Sequence, residues 1–248
     1  MEFERIADIK RLNFIIDVLQ KGLPAGAEVL DVGCGNGVIS RSLGEKGFTV
    51  KGIDVSEKAI ARARELNKFP NVRFEVVSAE KLVADGHNYH AVICSEVLEH
   101  LNDPGKLLDV LHQLLNKSGV LIVTVPNGQG PRELLVTRPV IALQKKNNWM
   151  WKSVQKMKSA FGYKGTTVQS SADDLTHIQF FTRSSLEKLA GQHQFSIVRY
   201  GKTNFIEDVF PFSFFSKKIK ALQRFDCAVA ELLPYQLNGG FMTVWEKS

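Results

Sequence analysis

The sequence is short of the features that mark membrane-spanning, secreted or disulfide-stapled chains. Its longest apolar runs, such as Val120–Val125 ahead of Pro126, fall far below the roughly 20 residues needed to cross a bilayer. Residues Met1–Lys10 alternate acids and bases and contain no apolar stretch resembling a secretory leader, so the expected location is the cytoplasm. Only three cysteines occur, Cys34, Cys94 and Cys227, and they lack metal-ligand spacing; this argues against both a disulfide framework and a zinc site, and no metal is expected. Internal repeats and low-complexity tracts are missing as well. What is present is an ordinary globular composition, 44% hydrophobic and 23% charged over 248 residues, read as one domain over 1–248.

The net charge of +6 is unevenly placed. Between Gly128 and Val168 stand Arg132, Arg138, Lys145, Lys146, Lys152, Lys156, Lys158 and Lys164 against Glu133 alone, so attraction for anions is concentrated there. The rest of the chain is close to neutral.

Strand-like apolar runs alternate with segments of helical period, which predicts a mainly parallel sheet flanked by helices, an α/β doubly wound fold. The periodicity predicts an opening helix over Arg5–Lys21, carrying Ile6, Ile9, Leu12, Ile15, Ile16 and Leu19 and stopped by Gly22 and Pro24. Strands are expected at Glu28–Val32, Thr49–Ile53, Val72–Val77, Ala91–Cys94 and Val120–Val125, the last after a turn at Gly119. Helices fall near Gly37–Lys46, after a Ser56 cap with Glu57 in the first turn, and near Gly105–Asn116. A helix near Ser184–Gly191, capped by Thr182 or Arg183, precedes strands at Phe195–Tyr200 and Phe241–Trp245, with an irregular segment Phe205–Phe225 between these strands. The alternation fails for about fifty residues after the fifth strand, which suggests an inserted helical lid over about 128–176.

The sharpest motif is Val29-Leu30-Asp31-Val32-Gly33-Cys34-Gly35-Asn36-Gly37, an apolar strand ending in three alternate glycines before a helix. Glycines at such a turn permit positive φ and let a ligand lie on the backbone, facing free helix amides. A dinucleotide fingerprint would require glycine where Val38 stands, which lowers a dehydrogenase reading. Asp54 closes the second strand, where a carboxylate can accept both hydroxyls of a ribose across the crevice or cap the next helix.

These motifs resemble class I S-adenosylmethionine (SAM)-dependent methyltransferases over nearly the whole chain: Asp31–Gly37 resembles that family's first motif, Gly52–Ser56 its second, and Ser95–Pro104 the segment after strand 4. The resemblance implies a Rossmann-like, seven-stranded, mostly parallel sheet, with SAM as cofactor and S-adenosylhomocysteine as product. It implies that Gly33, Gly35 and Gly37 pack on the cofactor's methionine end, bordered by Cys94 and Ser95, that Asp54 holds its ribose, and that Asp31, Cys34 and Val55 belong to the same cofactor site. Ser78, Ala79 and Glu80 would flank the adenine, although the common pattern has an acid where Ser78 stands. Small-molecule O-methyltransferases of the ubiquinone-biosynthesis kind are similar in the Glu96–His100 run and in a Thr-His pair that is here Thr176-His177. The stretch Val125–Glu133 also resembles glycan-modifying methyltransferases.

Methyl transfer from a sulfonium needs alignment and an exposed nucleophile, and a hydroxyl acceptor gains from a general base. Histidine as a residue type titrates near neutral pH, so His177 is the candidate base, with a lid-ordering role as its structural alternative. Glu96 and Asn127 are candidates for positioning the acceptor, against local bonding and loop shaping. His100, Trp149 and Trp151 are candidates for contacting it. The aromatic, basic insert, together with the phenylalanines and lysines of Phe205–Phe225, suits peripheral contact with an anionic membrane and a lipid-linked acceptor; it also suits nucleic acid, or a solvated lid. An RNA or protein methyltransferase and a non-catalytic SAM-binding regulator stay open, though no N/D-P-P-Y/F/W motif follows strand 5, where Val125-Pro126-Asn127-Gly128 stands. The acceptor's identity and the oligomeric state are not encoded in any motif.

Overall fold

A computed structural model of the chain describes residues 3–137, 178–207, 209, 212–216 and 219–248. Among these, seven strands form one sheet in the order β3-β2-β1-β4-β5-β7-β6. They are β1 (Glu28–Val32), β2 (Thr49–Asp54), β3 (Val72–Val76), β4 (Tyr89–Ser95), β5 (Leu115–Pro126), β6 (Phe195–Lys202) and β7 (Gly240–Lys247). The first five pair in parallel, and β7 inserts antiparallel between β5 and β6. The order reverses between β1 and β4, and the crevice at the carboxyl ends of those strands is where open α/β sheets place their ligands.

Alternation along the strands divides the core in two. Leu30, Val32, Val92, Cys94, Leu121 and Val123 point to one face, where Phe195, Trp245 and the helices α5 (Pro104–Leu114) and α6 (Arg183–Gln192) cover them. Val29, Ala91, Ile93 and Ile122 point to the other, under α1 (Ile6–Gly22), α2 (Val38–Glu45) and α3 (Glu57–Leu66). Each fully buried Leu or Ile contributes roughly 1.5–3 kcal/mol by leaving water, so the two layers hold the strand ends rigidly in place. The short helix α4 (Ala79–Leu82) follows β3.

Two expectations change and one open alternative is resolved. The fifth strand begins at Leu115, because Leu115 pairs with Tyr89 and Val120 with Ala91; Gly119 lies in a bulge inside the strand. The sixth helix takes Thr182 as its cap, with Ser185 completing a reciprocal box. The segment expected to be irregular contains two helices, α7 (Phe212–Ser216) and α8 (Lys220–Leu232). α8 buries Gln223, Asp226, Cys227 and Ala230, and this partly polar inner face hid the helix from a search for apolar periodicity.

The expected lid over 128–176 is described only to residue 137, where Glu133–Thr137 forms a π-type turn; its remainder, with His177, Trp149 and Trp151, lies outside the described residues. The chain returns beside the crevice: Ile178 and Gln179 N–H donate to the Glu99 carbonyl at 2.8 and 3.0 Å, and Gly128 N–H donates to Phe181 O at 2.7 Å. Among the described residues, no helix is long and apolar enough to cross a membrane.

Candidate active site

The glycine loop leaves β1 with left-handed backbone at Gly33, Gly35 and Gly37, at φ values of 69°, 55° and 78°. Two of these positions show why glycine stands there. A Cβ on Gly37 would overlap the Phe74 ring, so this position is closed by packing. A Cβ on Gly35 would meet nothing within 4 Å, so this position faces open space at the crevice. The loop is pinned from below: Cys34 N–H donates to Ile53 O at 3.0 Å, and Gly37 N–H donates to Cys34 O at 2.9 Å.

Asp54 ties this loop to β2. Its Oδ2 accepts from Gly35 N–H and its Oδ1 from Ser56 N–H, both at 2.9 Å. Each oxygen keeps a second lone pair, so the carboxylate can brace the loop and still accept a pair of vicinal hydroxyls. Beside it Val55 is 75% exposed, an apolar surface at the strand end suited to an aromatic base. The open face of Gly35, the Asp54 carboxylate and the bare Val55 thus line one continuous surface at the strand ends.

Other expected contacts fall behind this surface. Asp31 is fully buried; its Oδ2 accepts from Ser40 Oγ at 2.5 Å, and burial, with the nearby Asp54 charge, lifts its pKa to about 7. Asp31 therefore braces the loop against α2 and presents no carboxylate to the crevice. Cys94 lies wholly in the core, and burial pushes its thiol up, as it does that of the half-buried Cys34, so both are inert hydrophobes here. Ala79 is buried with Leu82, while Glu80 is exposed and the half-buried Ser78 hydroxyl makes no cap bond. Ser95 Oγ sits 2.8 Å from Thr124 Oγ1 at the ends of β4 and β5.

Past β4 the structure gathers charged groups. Glu96 adopts φ 58°, a strained left-handed conformation for a residue with a side chain, and such strain collects at functional sites. Its Oε1 accepts from Thr124 Oγ1 at 3.0 Å, and its Oε2 lies 3.5 Å from the Arg11 guanidinium. A small cavity of about 40 Å³ opens beside it, lined by Arg5, Arg11, Glu96, Arg132, Thr203 and Asn204 among others. The Arg11 Nε in this wall is buried without a hydrogen-bond partner.

Asn127, a candidate for positioning the acceptor or shaping the loop, is held in the loop. Its Nδ2 reaches the carbonyls of Tyr235, Gln236 and Asn238 at 3.1, 3.3 and 2.8 Å, and its Oδ1 accepts from Gln129 N–H at 3.0 Å. Every polar atom of the fully buried amide is consumed in folding the loop before β7 onto the end of β5.

Glu99 was underrated by the sequence. It is 1% exposed, neither carboxyl oxygen has a hydrogen-bond partner, and burial reinforced by the Glu96 charge raises its pKa to about 9. A carboxyl in that state is protonated at neutral pH and offers a hydrogen-bond donor beneath the point where the chain returns at Ile178. Its signal was the Glu96-Val97-Leu98-Glu99-His100 run, which spacing alone could not tell from local helix-end bonding. His100 Nε2 lies 3.8 Å from Glu99 Oε1. Among the described residues no group of three or more His, Cys, Asp or Glu is arranged to hold a metal ion.

With this geometry in view, comparison with known proteins places the chain. A family model described as a methyltransferase domain matches residues 4–200. Ubiquinone biosynthesis O-methyltransferase of Pseudomonas aeruginosa (strain LESB58) is 34% identical over 131 residues, 51% of this chain and 55% of the relative. The chain thus spans about half the length of the curated relatives it matches. Among solved structures, magnesium protoporphyrin IX methyltransferase from Synechocystis PCC 6803 with bound S-adenosylhomocysteine shares the fold at TM-score 0.58 and 19% identity, covering 98% of this chain and 84% of that one. The 1,6-didemethyltoxoflavin-N1-methyltransferase of Burkholderia thailandensis aligns at TM-score 0.57 and 15% identity, covering 98% and 79%. The seven-stranded sheet, the glycine loop joined to Asp54, and a family model spanning most of the chain agree: this protein belongs to the class I SAM-dependent methyltransferases.

Proposed function

We propose that this chain transfers a methyl group from SAM to a hydroxyl oxygen of a polar small-molecule acceptor. The observation that carries the reading is the open face of Gly35 held 2.9 Å from Asp54, with the charged cavity around Glu96 across the crevice. Bound SAM supplies an electrophilic methyl carbon. Gly35 and the amides of α2 hold its methionine end, Asp54 its ribose hydroxyls and Val55 its base. The Thr124, Glu96 and Arg11 network orients the acceptor by hydrogen bonds, so alignment is built in before reaction.

The name of the curated relatives supports oxygen as the acceptor atom. The polar side chains around the small cavity support hydrogen bonds to the acceptor, and a glycan or a lipid-linked headgroup stays within the reading. His177 is the proposed base, taking the acceptor's hydroxyl proton on an imidazole nitrogen. Its support is connectivity: the next residue, Ile178, is bonded to the Glu99 carbonyl at the site.

Labelled SAM offered with catechols, quinols, oligosaccharides and RNA tests the reading. Label in a hydroxyl-bearing small molecule or saccharide is expected; label only in RNA overturns it. His177→Gln should lower turnover about a hundredfold with SAM affinity unchanged. Undiminished turnover removes His177 from the mechanism.

A further inference from the structure

Helix α8 is amphipathic in the reverse sense. Its buried face, Gln223, Asp226, Cys227 and Ala230, carries two polar side chains, and both are engaged. Gln223 Oε1 accepts from Ile6 N–H at 2.9 Å, and the Asp226 carboxylate accepts from the amides of Phe205, Ile206 and Glu207 at 2.8, 2.9 and 3.2 Å. Lys10 Nζ bonds to the Cys227 carbonyl at 3.4 Å and to Glu231 at 2.6 Å.

The outer face is Ala221, Phe225, Ala228 and Leu232, spaced so that they form one continuous exposed stripe. Phe225 is 66% and Leu232 87% exposed, and just before the helix Phe215 and Ile219 are 54% and 46% exposed. A helix at the surface of a water-soluble domain puts such residues inward. Exposed Lys220 and Arg224 flank the stripe, and Lys217 and Lys218 precede it in the chain. Both acids of the helix are already used, Asp226 by backbone amides and Glu231 by Lys10, so its outward charge is positive.

We propose that this face docks the chain on an anionic membrane surface, with Phe225, Leu232, Phe215 and Ile219 entering the interface and Lys220 and Arg224 meeting acidic headgroups. Aromatic and aliphatic residues in one stripe beside basic ones are the composition of helices that lie in the bilayer interface. An acidic protein partner would match the charge, but it gives no reason for a bare apolar stripe running the full length of the helix. The inner side of α8 rests on the start of α1; Arg5, which precedes α1, and Arg11 within it line the cavity of the proposed acceptor site. The docking claim stands apart from the methyl-transfer reading, because its test uses neither SAM nor acceptor.

The experiment is vesicle flotation of the full chain with phosphatidylcholine alone and with an equal mixture of phosphatidylglycerol and phosphatidylcholine. The expected result is flotation with the acidic mixture and little with phosphatidylcholine. Phe225→Glu combined with Leu232→Glu should cut partitioning at least about tenfold, as loss of two interfacial side chains requires. Lys220→Glu combined with Arg224→Glu should abolish the preference for acidic lipid. These positions are exposed, and thermal melting that matches the parent chain shows each variant folded. Failure of the parent chain to float with acidic vesicles overturns the proposal. So does undiminished flotation of Phe225→Glu/Leu232→Glu while Trp149→Ala/Trp151→Ala is lost from the vesicles, which assigns the contact to the insert. Light scattering that shows a dimer dissolved by the α8 variants, without vesicle binding, assigns the stripe to a second copy of the chain.

Discussion

The β1–β3 half of the sheet and the β5–β7 half bring different materials to the same crevice. The first offers backbone: a glycine loop, the amides at the start of α2, and one carboxylate that holds the loop while facing outward. The second, with the end of β4, offers polar side chains: Glu96, Thr203 and Asn204 just past strand ends, Arg132 in the segment after β5, and Arg11 on α1. A backbone site suits a cofactor that never changes, because its geometry is set by the fold and few substitutions can alter it. A side-chain site suits an acceptor that differs between relatives, since each residue can be exchanged without moving a strand.

The largest expected effect breaks the backbone half. Gly37→Ala forces a side chain into left-handed φ and into the Phe74 ring, which should cost about 3 kcal/mol of stability by the combined strain and overpacking. Chemical denaturation would show it as a lowered midpoint, and a wild-type midpoint would mean that the loop is not packed as described. Next is Asp54→Ala, which removes the acceptor of Gly35 N–H and Ser56 N–H together with the proposed ribose grip. S-adenosylhomocysteine should bind about a hundredfold more weakly, close to 2.7 kcal/mol.

In the other half, Asn127→Ala should lower stability by about 2 kcal/mol through three abandoned carbonyls, while the turnover of the folded fraction stays near wild type. A large fall in turnover at full stability would return Asn127 to the reaction. Taken per pH unit, the smallest effect is one of pH. The Glu99 pKa lies near 9 in the folded protein against an ordinary 4.5, so the folded state holds a proton that the unfolded state has lost between those values. Stability should therefore decline as pH rises through that window, by at most about 1.4 kcal/mol per pH unit from this group. Glu99→Gln should flatten the decline in thermal melts taken from pH 5 to pH 9. An unchanged slope would place the burden on other groups, Asp31 first, whose raised pKa acts in the same direction up to about 7.

The two halves also differed in legibility. The glycine loop and Asp54 could be read because their backbone geometry demands particular residue types in fixed order. The strands could be read because alternate residues feed two apolar layers. Asn127 and Glu99 could not, since a polar letter does not say whether its side chain is buried or what it bonds. Asp31 shows the same limit inside the motif itself: the pattern marks its place, but only the fold turns its carboxylate inward to Ser40. α8 was missed because its packed side mixes polar Gln223 and Asp226 with small Cys227 and Ala230, which leaves no clear apolar period.

The most direct test is calorimetric titration of S-adenosylhomocysteine into the parent chain and into Gly35→Ala. Gly35 has open space where its Cβ would stand, so the added methyl should occupy the ligand's position with little packing disturbance. The account predicts saturable heat for the parent chain and binding at least roughly tenfold weaker for the variant, with a melting temperature only slightly lower from the φ strain. No heat with the folded parent chain, or equal affinity in the two proteins, would contradict it.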